Sequence, residues 1–156
     1  MSELLIRYAL REDTKVILDC INGIAEFEKM SDQVEATLET LEASLFDRHE
    51  AKVLLGYIDN EVVGFALFFY NFSTFKGKKG LYLEDLFIYP EYRHLGYGKA
   101  FFKELMAISK QENCGRMEWV CLKWNQVAID FYLTLGALPL DEWTTFRLNE
   151  STLKQV

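Results

Sequence analysis

Residues 81–98 read LYLEDLFIYPEYRHLGYG, and the way this stretch folds decides the rest of the chain. From Leu81 to Tyr89 the run is β-forming apart from Glu84 and Asp85, and Pro90 ends it because proline cannot donate to a ladder. Arg93-His94-Leu95-Gly96-Tyr97-Gly98 follows, and Phe101, Leu105 and Ile108 then recur at helical spacing. A strand, a glycine turn and a helix beginning near Gly98 are predicted. Glycines let the backbone turn tightly and aim several N–H groups in one direction. A helix N-terminus adds unpaired amides and a positive dipole end, so the turn is suited to a pyrophosphate.

Working outward, Leu4–Ala9 has strand character, and Val16, Ile17, Cys20, Ile21, Ile24 and Phe27 form a helical stripe. A second helix is read from Val34, Leu38, Leu41 and Leu45, opened by Asp32 with Glu35 three residues on. Ala51–Ile58 and Glu61–Phe72 are β-rich and joined by Asp59-Asn60 as a hairpin. Ser73–Gly80, with three lysines, is expected to be a loop. After the central helix, Arg116–Leu122 is a strand and Asn125–Leu135 a helix closed by Gly136, with a last strand at Trp143–Leu148. The order βααβββαβαβ predicts one α/β domain over residues 1–156, a mixed and mostly antiparallel sheet flanked by helices.

Composition narrows the function. The 156 residues are half apolar and 15% aromatic, enough for one core. A net charge of −7 argues against nucleic acid and is compatible with a cationic substrate. Three irregularly spaced cysteines and two distant histidines suggest neither a disulfide framework nor a metal site. The first residues lack a signal-peptide core and no run reaches membrane-span length, so a reducing cytoplasm is expected.

Four blocks at matching spacing resemble the GNAT superfamily of acetyl-CoA-dependent N-acetyltransferases, whose central motif is Arg/Gln-x-x-Gly-x-Gly/Ala. They are Tyr82–Ile88, Tyr92-Arg93 with the glycine turn, Trp124-Asn125, and Phe131-Tyr132 followed by Gly136-Ala137. Within the superfamily the chain is most similar to the diamine (spermidine/spermine-type) acetyltransferases. The resemblance implies that backbone groups of Leu86, Phe87 and Ile88 pair with the pantetheine arm of acetyl-CoA. It implies that Arg93, His94, Leu95, Gly96, Tyr97, Gly98 and Lys99 hold the pyrophosphate. Asn125 and Ala128, opening the next helix, would lie near the reactive end of the cosubstrate, with Tyr132 beside the thioester sulfur. Phe27 and Glu28 resemble the amine-recognition segment, Glu118 adds negative charge, and the related enzymes pair as homodimers. Two positions depart from the pattern: His94 stands where glycine is common, and Lys123 where the diamine enzymes carry an acid, which disfavours a polycation.

The chemistry asks for such residues. An alkylammonium near pKa ~10.4 leaves roughly one molecule in a thousand as free amine at neutral pH, so a base must take its proton, and Glu84 is the candidate. A departing thiolate calls for a donor, which Tyr132 supplies. Each has a plainer reading: an aromatic on a helix's apolar face usually packs in a core, and Glu84 and Asp85, on opposite faces of a regular strand, would not act as a pair. The expected activity is acetyl transfer to a small primary amine. A protein or peptide amine acetyltransferase and a non-catalytic acyl-CoA-binding module are the alternatives.

Overall fold

The computed structural model describes residues 2–156, which divide into two compact units meeting at Val120/Cys121. In the first, strands β1 (Leu4–Tyr8), β2 (Lys52–Ile58), β3 (Glu61–Ser73), β4 (Lys78–Ile88) and β5 (Met117–Glu118) form one sheet in sequence order. All neighbours are antiparallel except β4 and β5, which run parallel. Helices α1 (Thr14–Phe27), α2 (Leu38–Glu42) and α3 (Tyr97–Gln111) complete this unit.

Both faces of the central strands are covered, and for that reason β2 and β3 read as continuous apolar runs rather than alternating ones. On one face Val53, Leu55, Phe65 and Phe87 pack with Ile17 and Cys20 of α1 and with Leu45. On the other, α3 buries Phe101, Phe102, Leu105 and Ile108. Gly56 of β2 makes that approach possible, since a Cβ there would stand 2.8 Å from the tip of Phe101. The join between β1 and α1 is ionic. Arg7 donates to Asp13 at 2.8 Å, and Asp13 also accepts the Leu10 amide at 2.7 Å, which together hold its carboxyl below the usual range.

The second unit, Cys121–Val156, contains α4 (Gln126–Thr134) and a short α5 (Glu150–Leu153). Among the described residues no helix is long and apolar enough to cross a membrane.

Four expectations need correction. Helix α2 starts at Leu38, not near Asp32, because a Thr37/Thr40 box captures the cap: each threonine hydroxyl accepts the other's amide, at 3.1 and 2.9 Å. The chain then winds into a π-turn over Ala43–Asp47. Ser73–Gly80 is mostly ladder, with Ser73 paired to Lys78 around a turn in which Gly77 takes φ +65°; solvated lysines do not stop backbone pairing. The strand expected over Arg116–Leu122 pairs only at Met117 and Glu118. Trp143–Leu148 carries no strand pairing, and its apolar side chains are exposed, so the run keeps extended chemistry without the partner that makes a strand.

Candidate active site

Strand β4 and the turn that follows it position most of the expected residues. Leu67 of β3 stands opposite Asp85 and Phe68 opposite Leu83, so Glu84 is an extra residue, bulged out of the ladder. The bulge breaks strict alternation. Burial pushes the Asp85 carboxyl up to about 6, with the neighbouring Glu84 and then Glu28 as further causes. On the other side, burial raises the Tyr82 phenol, helped by Glu84 and then Glu118. Glu84, exposed, thus raises both neighbouring groups, while Glu118 is tied to Arg116 at 3.0 Å. The bulge is visible only in the partner strand's register, and nothing in β4 alone marks it.

Past the bulge, β4 offers an edge. Its pairing with β5 covers Leu81 and Tyr82 and does not reach Leu83–Ile88. The Tyr89 amide bonds the Val63 carbonyl of β3 at 2.9 Å, so by alternation the backbone groups of Leu86 and Ile88 point away from β3. Phe87, between them, is buried in the core. An extended acyl-pantetheine arm could add there as a strand does.

The glycine turn comes next. Pro90–Tyr92 form a single 3-10 turn, Arg93 is extended, and His94 and Gly96 take φ of +65° and +87°. His94 thus occupies a left-handed conformation that favours glycine, the residue common at this place in the resembling family. Leu95 is exposed, as are His94 and Lys99. Helix α3 opens at Tyr97, one residue earlier than expected, with no acidic residue in its first turn. A Cβ at Gly96 or Gly98 would meet nothing within 4 Å, so open space lies over the backbone of both glycines. Unpaired amides, the helix dipole, Lys99 and the absence of a first-turn carboxylate together fit an anionic diphosphate.

Phe27 is the last residue of α1 and Glu28 its C-cap. Arg93 reaches this end rather than projecting from the turn. Its guanidinium lies 5.0 Å from the Phe27 ring centre and 5.5 Å from that of Phe87, and Nε donates to the Ile88 carbonyl at 2.8 Å.

In the second unit Asn125 caps α4, its side chain accepting the Ala128 amide at 3.3 Å. Tyr132 is half-buried beside Phe131, with ring centres 5.8 Å apart. Burial, then the Cys121 thiol, pushes its phenol up to about 12. Among the described residues no group of three or more His, Cys, Asp or Glu side chains is placed to hold a metal ion.

Comparison with known proteins shows the family. The Acetyltransferase (GNAT) family profile matches residues 11–137, running through the boundary between the two units. Thialysine N-epsilon-acetyltransferase of Sus scrofa is 33% identical over 168 aligned positions, covering 100% of this chain and 98% of that protein. L-ornithine N5-acetyltransferase NATA1 of Arabidopsis thaliana is 41% identical over 101 positions, 63% of this chain and 43% of that one. Among solved structures, an integron cassette protein from the mobile metagenome of V. cholerae superposes with a TM-score of 0.81 at 25% identity, over 99% of this chain and 97% of that chain. The open β4 edge, the glycine turn on α3 and a family match across 127 of the 156 residues (11 through 137) carry one conclusion: the chain belongs to the GNAT family of acetyl-CoA-dependent N-acetyltransferases.

Proposed function

We propose that this enzyme acetylates a primary amine of a small molecule, a diamine, polyamine or lysine-like amine. The observation that carries the reading is the Asp85 carboxyl beside the β4 bulge, pushed up to about 6 by burial and then by Glu84 and Glu28, next to the open strand edge. Such a group attracts an ammonium and resists full ionisation without one. The named activities of the thialysine and ornithine relatives support the same substrate class.

Acetyl-CoA, when bound, supplies an acetyl thioester whose sulfur departs as a thiolate. The backbone of Leu86 and the amide of Ile88, whose carbonyl Arg93 holds, would take its pantetheine arm, and the amides of the Gly96 turn its pyrophosphate. Glu84 takes a proton from the bound ammonium, directly or through a water, so that the free amine attacks the acetyl carbonyl as the bond to sulfur breaks, while Phe27, Glu28 and Glu118 recognise the amine. Tyr132 serves the departing sulfur. With its phenol near 12, full transfer to a thiolate of pKa ~8.5 is uphill by roughly 5 kcal/mol. Its role is to donate a hydrogen bond, with water completing protonation.

The family profile's passage through residue 120 supports one catalytic domain spanning 1–156. We further infer a homodimer joined through the exposed Trp143, Phe146 and Leu148, and a reducing cytoplasmic setting, which suits the free thiols of Cys20 and Cys114. The charge of −7 disfavours nucleic acid and anionic membrane surfaces as partners.

The test is a screen of lysine, thialysine, ornithine, putrescine, spermidine and a lysine peptide with acetyl-CoA, following thiol release. Turnover of one of the small amines is expected, and Glu84→Gln should depress it about 10²–10⁴-fold at neutral pH but less as pH nears the amine's own pKa. Turnover of the peptide alone would replace the small-molecule reading with the protein-amine one. No thiol release with any amine would leave an acyl-CoA-binding module.

A further inference from the structure

The motif arginine of a glycine turn invites assignment to the diphosphate, yet in this chain its guanidinium is already engaged. Phe87 forms the inner wall: it is 6% exposed and lies so close beneath α1 that a Cβ at Gly23 would stand 2.6 Å from its ring. Phe27 forms the outer wall at the last turn of α1. The planar, delocalised guanidinium lies over both rings, 5.0 Å from the centre of Phe27 and 5.5 Å from that of Phe87, while its in-plane Nε–H donates to the Ile88 carbonyl. An ammonium could not do both at once, because its donors radiate from a point. By alternation that carbonyl lies on the open edge of β4, so Arg93 closes the edge where the strand ends and the turn begins.

We propose that Arg93 is a positioning residue, which pins the Phe27–Glu28 end of α1 to the last residues of β4 and so sets the amine-recognition segment against the strand that carries Glu84. The inference rests on the small-amine reading given above. The α1 end needs such a tie. Beyond Phe27 the chain reverses through Lys29 at φ +59°, held by short-range backbone bonds from Glu28, Lys29 and Met30 to Ile24, Glu26 and Ala25. Ile24 and Ala25 seat the last turn of α1 on the core, and those bonds close the turn beyond them without tying it to the sheet. The Arg93 side chain, over the Phe27 ring and bonded to Ile88, extends the hold past Phe27 and joins the backbone that receives the cosubstrate to the segment that receives the amine.

The experiment pairs hydrogen exchange with kinetics on Arg93→Ala. Without any ligand, the Glu28, Lys29 and Met30 amides should exchange about tenfold faster than in the wild type. The amine KM should rise about tenfold with kcat within about threefold, and the Kd for CoA should change by less than about threefold. Millimolar guanidinium should recover part of the amine KM by refilling the slot, whereas Arg93→Lys should behave like the alanine variant. Should Arg93→Ala fold poorly, Phe27→Leu gives the same test: it should speed the same amides and raise the same KM. In a double variant the two losses should fail to add. Wild-type exchange at residues 28–30 together with a tenfold weaker CoA would overturn the proposal and make Arg93 a cosubstrate ligand. Fully additive losses would overturn it too. A wild-type enzyme that acetylates no amine, while Arg93→Ala still loosens residues 28–30, would remove the small-amine reading and leave the tie standing.

Discussion

Residues 2–120 bury Phe65, Phe68, Phe101 and Leu105 completely, while residues 121–156 leave Val127, Leu138, Trp143 and Phe146 in solvent. The two stretches are equally rich in apolar residues, about half in each, so composition does not explain the difference. Pairing does. The first unit has five strands whose ladders satisfy one another and two faces that helices close. The second has two helices and no ladder among its described residues, so Trp143–Leu148 has nothing within its own 36 residues to pair with. An apolar side chain is stabilised by the surface it meets, at about 25 cal/mol per Å² removed from water, and not by its own hydrophobicity. The second unit therefore depends on a surface beyond itself.

The largest expected effect lies in the first unit. Phe101 is 0% exposed and fills the gap that Gly56 leaves above β2. Phe101→Ala should cost about 3–5 kcal/mol in urea denaturation, from lost burial and from the cavity that remains. A cost under about 1 kcal/mol would mean that this side collapses easily, and the contrast between the units would shrink to one of degree.

A smaller effect, of opposite sign, marks the exception inside the well-buried unit. Asp85 has its carboxyl raised to about 6 by burial and by Glu84 and Glu28, so between about pH 4 and 6 the folded chain holds a proton that the unfolded chain has released. Stability from this group is full below that window and is lost as pH rises through it. At pH 7.5 the ionised Asp85 is a burden, and Asp85→Asn should raise stability by roughly 1–3 kcal/mol, with the gain vanishing near pH 4. The same variant should bind amine more weakly, since a destabilising carboxylate kept at a site is there for its charge. Thermal melts at the two pH values check the first part, and a gain equal at both would show that Asp85 is not the titrating group.

How much of this was legible in sequence follows the same division. Helices α1 and α3 and strands β2 to β4 were readable because their apolar positions recur at periods set by the backbone itself. The glycine turn was readable because positive φ at Gly96 and a helix start leave local marks. What escaped needed a partner. The bulge at Glu84 exists only in register with Leu67 and Phe68, so the coupling of Glu84 to Asp85 could not be seen in one strand. The contacts of Arg93 with the Phe27 and Phe87 rings join positions far apart in sequence, which nothing local marks. The start of α2 turned on two competing caps, Asp32 and Thr37, five residues apart, and the unpaired state of Trp143–Leu148 on the lack of a neighbour.

The smallest expected effect on a single chain is in the second unit, and it sharpens the comparison most. Phe146 is 92% exposed, so Phe146→Ser removes almost no burial within one chain and should change stability by less than about 0.5 kcal/mol at nanomolar protein. In a homodimer joined through this segment, two-fold symmetry buries the residue twice. At about 1.5–3 kcal/mol per buried phenylalanine, the substitution would then weaken association by roughly two to four orders of magnitude. The wild type should melt at a temperature that rises with protein concentration, the variant at one that does not, and light scattering at tens of micromolar should move from dimer to monomer mass. A wild type already monomeric at that concentration would remove the dimer. A variant losing several kcal/mol at every concentration would show that Phe146 is buried within the folded chain, and the difference between the two units would then be smaller than their exposed surfaces indicate.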